Sequence, residues 1–216
     1  MIFSTGPANC IAFSLKMPMH GHWTIEARLD SNPYLTPNAP FALQIDGAPF
    51  ATGVVTNCDQ YQKRWRFMGS APSFVLANPL PPSFFSNTTL SQVLLALSTT
   101  TGLQIVANTN RALDNAVWLS SVSGWQWLQR MFPSSMIRSD LSGVLRVDPL
   151  PQINYNSFML QDYSASTKRI QLAPQSTPLI QPGDQWTDSG SGLSFVIDDS
   201  EIVMESDQIR IVCGVR

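Results

Sequence analysis

Residues 89–106, TLSQVLLALSTTTGLQIV, form the one stretch of this chain with a clear helical pattern, and they constrain what can stand on either side. Thr89 followed by Gln92 is a capping box, in which the threonine hydroxyl accepts a first-turn N–H while the glutamine side chain reaches back. Leu90, Val93, Leu94 and Leu97 then share one helical face. Gly102 stands where a left-handed C-terminal cap belongs, and Leu103, Ile105 and Val106 read as a strand. The rest of the chain reads as short strands, so this helix divides it into a β-rich front, a helix-bearing middle and a β-rich rear.

In the front, Trp23 to Asp30 alternates apolar and polar residues, as a strand with one buried face requires. A turn-rich SNPYLTPNAP follows, then Phe41 to Ile45 with Phe41, Leu43 and Ile45 inward. Asp46-Gly47 signals a hairpin whose return strand runs through Phe50 to Val55, and Arg64 to Met68 adds another strand. Strands at this spacing suggest a small barrel or sandwich, with Leu29, Leu43, Ile45 and Val54 in its core. Pro79, Pro81 and Pro82 cannot continue a strand ladder, so 77–82 reads as an extended connector.

The middle continues with a strand at Val117 to Leu119 and a second helix capped by Ser123 and Gln126. Trp125, Leu128 and Phe132 share a face of that helix, and Pro133 ends it. A hairpin follows, from Ser135 to Arg138 and back from Val144 to Val147. In the rear, Ile170 to Leu172 is a strand and Pro182-Gly183-Asp184 a turn. Leu193 to Ile197, Ile202 to Met204 and Ile209 to Val215 make a three-strand set. The expected fold class is mainly β with an α+β insert: β-barrel-like domains at 1–80 and 151–216 flank a helix-strand-helix-hairpin unit at 81–150.

A chain of 216 residues is long enough to bury roughly 70% of its unfolded surface, so it needs no disulfide staples. Charged residues make up 13% of it, against about 25% in an average domain, which suits a surface covered by neighbours. The formal net charge of −2 leaves no basic footprint, so no specific nucleic-acid binding is expected. Cys10, Cys58 and Cys213 are far apart and read as buried thiols of a reducing compartment. No apolar run is long enough to span a bilayer, and Met1 to Leu15 lacks the charged start of a signal peptide.

No catalytic constellation is legible. His20 and His22 in MHGHW are the two histidines of the chain, and an HxH pair lacks the further donors a zinc site needs. Asp198, Asp199, Glu201 and Glu205 form an acidic cluster that reads as a solvated hairpin tip. Neither a GxSxG elbow nor a phosphate-binding glycine loop occurs. Trp118, Trp125 and Trp127 read as core, and Trp186 as the best candidate for an exposed or interface ring. Lys63, Arg64 and Arg66 with Trp65 read as the polar outer face of a strand. The expectation is no catalytic, cofactor-binding or metal site, no cofactor, and no enzyme activity.

The order of these pieces resembles the central hub proteins of tailed-bacteriophage baseplates and tail tips. GHWTIEARLD and FALQIDGAPFATGVVTN are similar to the first barrel of such hubs, TLSQVLLALSTTTGLQIV to their helix, and GWQWLQRMF with SGVLRVDPL to their second helix and following strand. DYSASTKRIQLAPQSTPLIQPGDQW resembles the start of the second barrel. The helix alone also resembles N-terminal domains of secretins. The hub resemblance implies a virion protein of the tail tip or baseplate, assembled in the host cytoplasm. It implies a self-associating, trimeric ring whose paired barrels adapt a six-fold tail tube to a three-fold spike or fibre complex. Its partners would be the tail tube or distal tail protein, central spike or fibre proteins and the tape-measure protein, with no membrane insertion of its own. The alternatives are an adaptor subunit of a secretion-type assembly and a tail-associated hydrolase.

Overall fold

The computed structural model describes residues 3–108, 110–118, 121–132, 137–147, 154–155, 158–174, 180–188, 190–205 and 208–216. The front contributes β1 (Phe3–Thr5), β2 (Ala8–Pro18), β3 (Thr24–Leu29), β4 (Pro40–Ile45), β5 (Ala48–Tyr61) and β6 (Arg64–Ser70). They pair in the order β1-β4-β5-β6-β3-β2, and β2 returns to β1, which closes a six-stranded barrel. The alternation read from Trp23 onward holds: Trp23, Ile25, Ala27 and Leu29 are buried and the residues between them exposed. Asp46 and Gly47 both take positive φ (50° and 83°), the two-residue turn whose twist matches the flanking strands.

The return strand departs from the simple alternation. Ile45 pairs Ala48 and Gln44 pairs Pro49, but Leu43 pairs Ala51, so Phe50 is an extra residue bulged out of the ladder. One added residue exchanges the two faces of everything after it. Ala51, Gly53 and Val55 therefore point inward, and Val54, expected in the core, is only half-buried. Gly53 is required there, because a Cβ would collide with the Ser70 carbonyl oxygen and with the Trp23 and Phe41 rings.

After a 3-10 turn (Pro72–Ala77) come β7 (Ser83–Thr89), α1 (Leu90–Thr101), β8 (Ile105–Ala107), β9 (Ala112–Trp118), α2 (Gly124–Met131), β10 (Ile137–Ser139) and β11 (Leu145–Val147). Both capping boxes form as expected, Thr89 with Gln92 and Ser123 with Gln126. Gly102 is left-handed (φ 73°) and returns its N–H to Ser98 at 2.8 Å. Leu90, Val93, Leu94 and Leu97 are all buried. On α2 the buried residues are Trp127 and Leu128, and Trp125 is half-buried. Strand β7, which the sequence does not announce, pairs antiparallel with β9. Leu119 and residues 133–136, part of the expected strand, helix stop and hairpin, lie outside the described residues.

The β10–β11 turn seats this middle unit on the barrel. Trp23 donates its indole N–H to the Asp140 carbonyl at 2.9 Å, Thr52 donates its backbone N–H to Leu141 at 2.8 Å, and the Thr52 hydroxyl donates to Ser142 at 2.7 Å.

The rear holds β12 (Asn154–Tyr155), β13 (Phe158–Ser164), β14 (Arg169–Pro174), β15 (Gln185–Thr187), β16 (Ser194–Glu205) and β17 (Gln208–Val215). The expected strands Leu193 to Ile197 and Ile202 to Met204 are one strand, β16. Ile197 pairs Val215 but Asp199 pairs Gly214, so Asp198 is a bulge that bends the strand without breaking it.

The rear repeats the front in order. Counting from each start, the first strand pairs the fourth (antiparallel in the front, parallel in the rear), the fourth the fifth, the fifth the sixth, the sixth the third and the third the second. The front closes second to first; the corresponding pairing of β13 with β12 is not among those the described residues make. Details repeat as well. The fifth–sixth hairpins end in corresponding pairs, Tyr61 with Arg64 and Glu205 with Gln208, and the second strands carry matching bulges at Ile11 and Gln161. Antiparallel pairing of β2 with β16, from Ala12 opposite Glu205 to Pro18 opposite Asp199, joins both halves into one twelve-stranded sheet. One apolar cluster runs through front and rear, and a second fills the middle unit around Leu90, Leu97 and Leu128.

Candidate functional site

The residues able to carry chemistry are dispersed. Among the described residues no three His, Cys, Asp or Glu side chains gather as metal ligands. His20 is exposed, while His22 is half-buried, with its ring 5.6 Å from Phe74 and 5.9 Å from Trp125. Burial lowers the pKa of His22 below its usual value. A base whose folded-state pKa is depressed leaves the unfolded state binding more protons, so stability is intact above the ordinary histidine range and falls as pH drops through it. The melting temperature is therefore expected to fall between pH 7.5 and 5.5 in scanning calorimetry, and less so in His22→Phe. An equal fall in the variant would remove His22 as the cause.

The acidic cluster runs along a strand, with only Glu205 at the hairpin end. Asp198, Asp199, Glu201 and Glu205 all lie on β16, and three of them face cations: Asp198 with Arg216 at 3.3 Å, Asp199 with Arg169 at 2.6 Å, Glu201 with Lys16 at 3.7 Å. The Ser14 hydroxyl also donates to Glu201 at 2.6 Å across the β2–β16 junction. Exposed pairs of this kind add little stability.

Two cysteines are inert by burial. Cys10 and Cys213 have their thiol pKa pushed up to about 12, by desolvation first and then by Asp30 and Asp199 respectively. Cys58 on β5 is half-buried and also shifted upward, by desolvation and then by Asp59. None is poised as a thiolate.

Trp186, expected at the surface, is fully buried and stacks on Phe195 with ring centroids 6.2 Å apart. The ring instead faces the apolar cluster shared by front and rear, which covers it. Trp127 is core as expected, and the Trp118 side chain lies outside the described residues.

The surface features that remain are sheet edges and hairpin rims. The β5–β6 hairpin and the end of β16 flank a groove of about 620 Å³, lined by Tyr61, Arg64 and Trp65 from one, by Val203 and Glu205 from the other, and by Phe13 of β2. Arg66 in its wall pairs with Glu26 at 2.9 Å. The groove mixes both charges. Strand β2, which organises this surface, has no clear signal in the sequence because its Ile11 bulge breaks the alternation of Cys10, Phe13, Leu15 and Met17.

This arrangement has close likenesses in fold among solved structures. The 43 kDa tail protein of prophage MuSo2 from Shewanella oneidensis superposes with a TM-score of 0.73, covering 100% of this chain and 97% of that one at 10% identity. The fold is that of phage tail proteins. A tail protein from Neisseria meningitidis MC58 superposes with a TM-score of 0.69 at 11% identity, over 99% of this chain and 95% of the other. The E. coli c3393 protein, a type VI secretion component described as structurally similar to the T4 tail proteins gp27 and gp5, gives 0.66 at 11% identity, over 99% and 76%. No protein-family model matches the chain, and no curated protein matches its sequence significantly. The tail-protein fold thus persists here at identities where sequence comparison is silent. No helix of the described residues is long and apolar enough to cross a membrane.

Proposed function

We propose that this protein is a structural, non-enzymatic virion subunit of a phage tail tip or baseplate. Its copies close into a three-fold ring that adapts a six-fold tail tube to a three-fold spike or fibre complex. The observation that carries this is the junction between the halves. Strand β2 is the second strand of its module, whereas β16 is the fifth strand of the other, so two like modules meet through unlike edges. Contacts between unlike edges run head to tail, and a head-to-tail contact closes into a ring when its rotation permits. Three chains would then present six comparable modules. The low charged fraction, 13%, suits a subunit mostly covered by neighbours. In this role 1–80 and 151–216 are the ring-forming units, and 81–150 is the insert docked on them through Trp23 and Thr52.

Native mass spectrometry of the full chain over a range of concentrations is the direct test. Three times the 23.8 kDa chain is expected, alone or with a tail-tube protein, and images should show a central opening. A chain that stays single in every mixture overturns the ring. The c3393 likeness favours one second reading, an adaptor in a secretion-type assembly. Binding of a tape-measure protein by the ring supports the virion role. Binding of secretion-machinery components instead supports the second.

A further inference from the structure

We infer that neighbouring subunits join by strand addition: β13 of one copy pairs antiparallel with the distal half of β5 in the next. The inference rests on the ring proposed above and names its interface.

Within the chain, the second strand of the front (β2) pairs the distal half of the fifth strand of the rear (β16). The same edge of β16 pairs β15 through residues 194–196 and then passes to β2 from Asp199 onward. Its counterpart β5 does the same for its first half. It pairs β4 through residues 48–54, and Val55 still exchanges hydrogen bonds with residues 38 and 39. Among the described pairings nothing then takes that edge from Asn57 to Tyr61. The counterpart of β2 in the rear is β13, which pairs β14 on one side and has no described strand on the other. Each chain therefore carries one copy of this contact made internally, and both halves of a second copy left open at opposite modules.

The side chains agree. Tyr61 is 65% exposed, Met159 58% and Tyr163 42%, large apolar groups on the two unpaired edges. Open edges of this kind invite pairing with another chain. The register follows from the internal contact. The Ile11 and Gln161 bulges align Ala12 with Asp162, and the closing hairpin pairs, Tyr61 with Arg64 and Glu205 with Gln208, align Glu205 with Tyr61. Because Ala12 pairs Glu205, Asp162 should pair Tyr61, Tyr163 should pair Gln60, and Ser164 should pair Asp59.

Paired cysteines test this in the full chain. Gln60→Cys with Tyr163→Cys, and separately Asp59→Cys with Ser164→Cys, are introduced into a Cys58→Ser background; all these side chains are at the surface or partly so. Adjacent antiparallel pairs alternate between about 4.5 and 5.5 Å in Cα separation, within disulfide reach, so at least one of the two should bridge. Mild oxidation is expected to give a non-reducing gel ladder that ends at three copies, with each single-cysteine variant remaining one chain. A native ring without cross-links in either double variant overturns this interface and leaves the ring standing. Cross-links that stop at two copies mean the contact closes on itself, which overturns the head-to-tail assembly. A single chain without cross-links overturns both.

Discussion

Ile202→Asp is expected to leave no folded protein. Ile202 sits at the middle of β16, paired with Leu15 on β2 and Ile211 on β17, and all three are fully buried. Removing the buried aliphatic side chain costs about 2–5 kcal/mol by itself. The carboxylate adds several kcal/mol, because it would stand within the apolar cluster that holds Leu15 and Ile211. The sum rivals the roughly 5–15 kcal/mol that holds an ordinary domain together. Ile202→Val, which deletes one methylene, should cost about 0.5–1.5 kcal/mol and is the control. Soluble yield, far-UV circular dichroism and urea titration give the measurement. A soluble Ile202→Asp protein with a cooperative transition near that of the control would show that the β2–β16 junction is not what unites the two halves.

Trp23→Ala is the second large effect, and it reports on a different joint. The ring is 1% exposed, meets Phe41 edge to face at 6.2 Å, and donates to the Asp140 carbonyl of the middle unit. Truncation should cost about 3–5 kcal/mol in the barrel. For a chain of this size that lowers the melting temperature by roughly 6–20 °C. Trp23→Phe keeps most of the ring but removes one of the two donors to the Asp140 carbonyl, which the Gly143 N–H still serves at 3.0 Å, so the lost hydrogen bond should cost about 0.5–1.5 kcal/mol. If the tryptophan serves only the barrel core, Phe should recover nearly all the loss. If it also anchors the insert, proteolysis within 81–150 should accelerate in both variants.

Local signals were the ones a reader of the chain could trust. Thr89 and Gln92, or Ser123 and Gln126, need only each other, three residues apart, to form a cap. Asp46-Gly47 needs only its own tolerance of positive φ. Trp23 to Leu29 shows its buried face because no bulge interrupts it. The hub-like layout came from assembling such pieces in order, and the tail-protein fold agrees with it.

Each failure involves a contact with something distant. The bulge at Phe50 turned Val54 outward and Val55 inward, a choice made by what β4 and the Phe41 ring could accommodate. Asp198 and Asp199 look like turn residues, yet Arg216 and Arg169 stand beside them in the folded chain and β16 continues through. Trp186 looks exposed among glycines until the fold turns its ring into the apolar cluster shared by front and rear. Strand β2 hides because Ile11 spoils its period.

By itself the sequence determined the helices, their caps, the tight turns and the division into two β-rich parts around an insert, because each depends on backbone preferences a few residues wide. Only the tertiary structure decided that β2 and β16, nearly two hundred residues apart, would lie side by side and weld the modules through unlike edges. That decision depends on bulges and register, where one residue more or less exchanges inside for outside, and no local preference is strong enough to choose between them.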